Sequence, residues 1–115
     1  MKRSLVIIFC LLFSTNLLAK FQCDVTLKHI IVYENGDVSV YHTGRNAWTF
    51  ICNLNGTWKN VNTVTCAMWT SMLQNIQQNN QKALFYYSEE GSCGTLPTYE
   101  SAPAPEYIGT TPLNQ

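Results

Sequence analysis

Cys23, Cys52, Cys66 and Cys93 constrain this chain more than any other residues: they form an even, widely spaced set in a sequence too short to rely on its core alone. A domain of this size buries only about 60–65% of the surface its unfolded chain exposes, so covalent staples are expected. Two disulfides would each contribute about 2–4 kcal/mol. No two of the four form the Cys-x-x-Cys pair that zinc and redox sites use, so the expectation is two structural disulfides and no metal. Four cysteines allow three connectivities, and their spacing leaves all three open.

Disulfides need an oxidising compartment, and the start of the chain supplies a route to one. Lys2 and Arg3 form a charged region, Leu5 to Phe13 an unbroken apolar run, and Ser14 to Ala19 a more polar stretch ending in a small residue. This is the layout of a secretory signal, with residues 1–19 removed after Ala19 and Cys10 removed with them. Nine apolar residues fall short of the roughly 20 that span a bilayer as a helix. Neither Cys10 nor Cys23 follows the small residues of a lipoprotein signal. The expected location is secreted or periplasmic, with no stable membrane anchor after signal removal.

Without Lys2 and Arg3, five basic residues (Lys20, Lys28, Arg45, Lys59, Lys82) face seven acidic ones, a net charge of about −2 with no basic block. That argues against a nucleic-acid partner or electrostatic attachment to anionic lipid. Sparse charge with many aromatic and β-branched residues argues for a folded domain.

Residues 24–34 alternate as a strand, with Val25, Leu27, His29, Ile31 and Tyr33 on one face. Asn35-Gly36 is a hairpin signal because both residues tolerate positive φ. Val38–His42 returns with Val38 and Val40 inward, Gly44-Arg45-Asn46 turns again, and Trp48, Phe50, Cys52 and Leu54 alternate along a third strand. After Asn55-Gly56, Thr57–Val61 reads as a short fourth. The period then changes: from Thr65 as N-cap, Cys66, Trp69, Leu73 and Ile76 define one amphipathic helix that ends at Asn79-Asn80. Lys82–Ser88 is a nearly all-apolar, hence central, strand. Cys93 follows in a loop, and Tyr99 or Tyr107-Ile108 offers an edge strand. The expected organisation is one domain over residues 20–100 and a Pro-rich tail over 101–115.

No chemistry-bearing motif stands out. His29 and His42, the only histidines, lie in strands of one hairpin, where a pair could bind metal but half-buried strand residues are the plainer reading. Glu89 and Glu90 are adjacent in a turn, where side chains point apart into water. No nucleophile elbow or phosphate loop is present, so no catalytic residue and no cofactor are expected. Asn55-Gly56-Thr57 matches a glycosylation acceptor, but the turn accounts for it. Aromatic residues are the notable surplus, and exposed rings stack on sugars and anchor interfaces. Trp48 and Trp69 fall on apolar faces and are expected in the core. Trp58, beside Lys59 and Asn60, is the ring expected at the surface, and these three are the candidate ligand contacts.

The run Asn35-Gly36-Asp37-Val38-Ser39-Val40, then Ile51-Cys52-Asn53, Asn55-Gly56-Thr57-Trp58, Trp69-Thr70-Ser71-Met72-Leu73, Phe85-Tyr86-Tyr87 and Cys93 resembles a group of small uncharacterised bacterial exported proteins. The resemblance covers roughly residues 23–100 and implies no activity. It implies the pairing Cys52–Cys93, which leaves Cys23–Cys66. In element order the chain is also distantly similar to the OB-fold B subunits of AB5 bacterial toxins, which bind host glycans as rings, although it lacks their N-terminal helix.

The expected fold is therefore α+β: a small antiparallel β-meander, OB-like and partly closed as a barrel, with one amphipathic helix and two disulfides. The expected role is a non-enzymatic binding module for a glycan or protein partner, with homo-oligomers such as a ring in view. The alternative is a monomeric envelope protein with a structural or inhibitory task. A small hydrolase is the third class.

Overall fold

The computed structural model describes residues 20–111, so residues 1–19, read from the sequence as a secretory signal, and residues 112–115 lie outside the described residues. Phe21–Val32 forms strand β1, Asp37–His42 β2 and Trp48–Asn53 β3, an antiparallel meander. Helix α1 spans Thr63–Gln78, β4 spans Lys82–Tyr87, a 3₁₀ turn covers Cys93–Thr95, and Tyr107–Thr110 is β5. The sheet order is β3-β2-β1-β4-β5, so the first strand in the chain is the central one in the sheet. The barrel expectation fails here: β3 and β5 are separate edges and the sheet does not close. The folded unit also runs through Thr110 instead of stopping at residue 100, because β5 pairs with β4 from Tyr86↔Tyr107 to Ala83↔Thr110.

Two bulges decide which side chains enter the core. One interrupts the β1–β2 register between Leu27 and His29. Cys23, Val25 and Leu27 point inward and are buried, but past the extra residue His29, Ile31 and Tyr33 emerge on the opposite face. Strict alternation puts all of them on one side. The second bulge falls where Val38 pairs with Cys52 and Ser39 with Phe50, leaving Ile51 unpaired. Ile51 and Cys52 are both buried, while Trp48 and Phe50 turn outward.

The first hairpin closes on Gly36 alone. The Tyr33 carbonyl accepts from the Gly36 N–H at 2.9 Å, Tyr33 N–H donates to the Asp37 carbonyl at 2.8 Å, and Gly36 has φ 96°. A Cβ there would meet the Asn55 backbone nitrogen at 2.9 Å, so only glycine fits.

Helix α1 starts two residues before the Thr65 cap read from the sequence. Asn62 caps it, its side-chain oxygen accepting from Thr65 N–H at 2.8 Å. Asn79 ends it as expected, with its N–H on the Asn75 carbonyl. Its inward stripe is Cys66, Trp69, Leu73 and Ile76, the four read from periodicity, with Thr70 beside them. This stripe packs with Val25, Val38, Val40, Phe85 and Tyr87 of the sheet in one core.

The disulfides are Cys23–Cys93 and Cys52–Cys66, a correction to the pairing that the resemblance implied. The register explains both. β4 runs antiparallel to β1, with Tyr87 opposite Phe21, so the loop leaving β4 returns Cys93 to the start of β1. Cys52 ends β3, and the helix that follows brings Cys66 in its first turn back over that strand. Two disulfides mark a chain that folds in an oxidising, non-cytoplasmic environment. Among the described residues no helix is long and apolar enough to cross a membrane.

His42 is the one titratable imidazole in the core, fully buried and tilted against Phe85 at 5.2 Å. Its Nδ1 accepts from the Gly44 N–H at 3.1 Å, which puts the proton of the neutral ring on Nε2, an atom without a partner. Burial lowers its pKa from 6.5 to about 4, against a smaller upward pull from a backbone hydrogen bond. Above pH 6.5 folded and unfolded chains are both neutral at this site. Below it the unfolded chain takes up a proton that the folded one refuses until about pH 4, so stability declines across that window. The expected loss is up to about 3 kcal/mol. Urea unfolding at pH about 7 and about 4.5 should show it, and His42→Leu should flatten the difference. An unchanged pH slope in the variant would remove His42 as the cause.

Candidate functional site

Six rings lie on the sheet face opposite α1, four of them (His29, Tyr33, Trp48 and Phe50) turned there by the two bulges. His29 lies 6.3 Å from Tyr41 and 6.0 Å from Trp48, and Tyr41 meets Trp48 edge-on at 5.5 Å. Two residues further along β3, Phe50 lies 5.7 Å from Tyr33 and 6.1 Å from Tyr99. Small, buried Ser39 sits between Ile31 and Phe50 in the register, in the row next to that of His29, Tyr41 and Trp48. Phe50 is the floor at 8% exposed, whereas Tyr33 and Tyr99 are 40% and 45% exposed. His29 is exposed, and Tyr41 and Trp48 are half-buried. Trp48 is thus not a core residue, unlike Trp69, which is.

Tyr99 reaches this face from far along the chain. Its N–H donates to the Trp48 carbonyl at 2.8 Å, and its carbonyl accepts from Phe50 N–H at 3.2 Å, an isolated parallel bridge with Thr49 that covers the outer edge of β3. Lys59 fixes the segment that follows, donating from Nζ to the carbonyls of Glu100 at 2.9 Å and Ala102 at 2.6 Å. At the other end of the same sheet face Tyr86 stacks on Tyr107 at 4.7 Å. Each exposed ring has a polar tip (hydroxyl, indole N–H or imidazole), so the face offers both stacking surface and hydrogen bonds.

Trp58, Lys59 and Asn60, the contacts named from sequence, form a tight turn closed by reciprocal backbone bonds between Trp58 and Val61. Lys59 and Asn60 both take positive φ, 46° and 71°. Trp58 is half-buried, with the Lys59 ammonium 4.6 Å above its ring. Lys59 lies between two shallow clefts of about 320 and 700 Å³. Glu89 lines both, Glu90 the smaller, and Asn60 and Trp69 the larger.

His29 and His42 are not brought together. Tyr41 faces outward with His29, and its neighbour His42 faces inward on Phe85, so the sheet itself divides the pair. Among the described residues no group of three His, Cys, Asp or Glu side chains is arranged to hold a metal ion. Burial raises the Tyr87 hydroxyl above its usual range, and it stays protonated in the core. No family model, no curated protein and no solved structure matches this chain.

Proposed function

We propose that this chain is an exported, non-enzymatic binding module that takes a glycan on the aromatic outer face of its sheet. The observation that carries the reading is the placement of His29, Tyr41 and Trp48 in mutual contact at 5.5–6.3 Å, outside the core, on a face that no described element covers. Sugar rings present C–H faces that stack on aromatic planes and hydroxyls that bond to polar tips. No Asp, Glu, Lys or Arg belongs to the three-ring cluster, so covering these rings removes no carboxylate, ammonium or guanidinium of the cluster from water.

The test is a glycan array probed with residues 20–115, followed by titration of the best binder by tryptophan fluorescence. Trp48→Ala should weaken binding by about 2 kcal/mol, roughly 30-fold, while Trp58→Ala leaves it unchanged. The opposite ranking would move the site to the turn at 58–61. A second reading, a protein partner, has its own support in Val64 and Met68, one helical turn apart on α1 and 72% and 68% exposed. No bound glycan, together with a partner lost on Met68→Glu, would replace the first reading by the second.

A further inference from the structure

The central strand is only half paired. β4 covers β1 from Phe21 to Thr26, and beyond that β1 continues to Val32 with β2 on one side alone. Its other edge, past the Lys28 carbonyl that Gln77 Nε2 caps at 2.8 Å, has no strand against it among the described residues. Tyr33 N–H bonds to the Asp37 carbonyl, so residues 33, 31 and 29 direct their backbone groups to β2. Residues 30, 32 and 34 therefore direct theirs to the open edge. Ile31 and Val32 are 41% and 45% exposed on it. Proteins usually blunt such an edge with charge, proline or a covering loop, and an apolar one is a template for another strand.

We propose that the occupant is a second copy of this chain, paired antiparallel through β1 about a two-fold axis at Ile31. The sequence of the edge is self-complementary in that register and in no neighbouring one. Ile30 falls opposite the partner's Val32, and both are residues whose backbone groups face outward. Lys28 falls beside the partner's Glu34, and the two-fold repeats the pair, so opposite charges meet twice. His29 falls opposite the partner's Tyr33 on the outer face, which joins two aromatic rows into one surface. The interface is isologous, so it closes at two subunits and builds no ring. It does not depend on the glycan reading, because its test reads mass alone.

Sedimentation and native mass spectrometry of disulfide-bonded residues 20–115 should give a reversible dimer. Lys28→Glu and Glu34→Lys should each raise the dissociation constant roughly tenfold, and the double reversal should restore it to within about threefold. Ile31→Cys, which places two thiols across the axis at about 4.5 Å between Cα atoms, should yield a covalent dimer on a non-reducing gel. Circular dichroism of each variant checks that the sheet is intact. A monomer up to about 100 µM, a ring, or a dimer indifferent to both charge reversals overturns the proposal.

Discussion

Replacing Cys23 and Cys93 together by alanine is expected to remove about 4 kcal/mol of stability, and replacing Cys52 and Cys66 about 3 kcal/mol. The ranking follows from loop length, since the bridges span 70 and 14 residues and the longer tether restricts the unfolded chain more. Domains of this size have about 5–15 kcal/mol to lose, so either removal is a large fraction and both together should leave the chain unfolded. Urea titration of the two double variants beside the parent measures the difference as a shift in midpoint at similar slope. A greater loss from the short bridge would show that its position over the helix start, and not tether length, dominates.

Phe85→Ala is expected to cost about 3–5 kcal/mol. Phe85 is fully buried in β4, opposite Cys23 on one side and Ile108 on the other, with His42 against its ring. Truncation removes a large apolar surface from the junction of three strands, where neighbours held by two ladders relax little. Tyr86, the next residue, faces outward against Tyr107, and its truncation should cost about 1 kcal/mol. Denaturant midpoints of the two variants separate burial from mere loss of an aromatic ring. Similar losses from both would mean that the outer face contributes to stability as the core does.

The elements were legible in the sequence because their signals are local. The alternation of Cys23, Val25 and Leu27, the helical stripe Cys66–Trp69–Leu73–Ile76 and the apolar run of β4 are each set by neighbours a few residues away. The aromatic face was not legible, because two inserted residues, one beyond Leu27 and one at Ile51, invert the faces with no compositional mark. Period-two reading therefore assigns His29, Tyr33 and Trp48 to the inside. Disulfide pairing escaped for a different reason: it depends on β4 lying beside β1, a long-range choice that no spacing encodes. Asn62 is hard to tell as the cap because Thr65, three residues on, is also a capping residue type, and the side-chain bond runs between the two.

The position of β1 also sets an order of events. It leads the chain and lies at the middle of the sheet, so as the polypeptide emerges N-terminus first, β2 reaches it within a hairpin while β4 must wait for the helix to be made. Cys52 and Cys66 meet across a short loop during that interval. Cys23 meets nothing native until Cys93 arrives 70 residues later, and throughout the delay its thiol can attack the bridge that formed first. Maturation of this small sheet is thus paced by its last strands, because Cys23–Cys93 can close only once β4 lies beside β1.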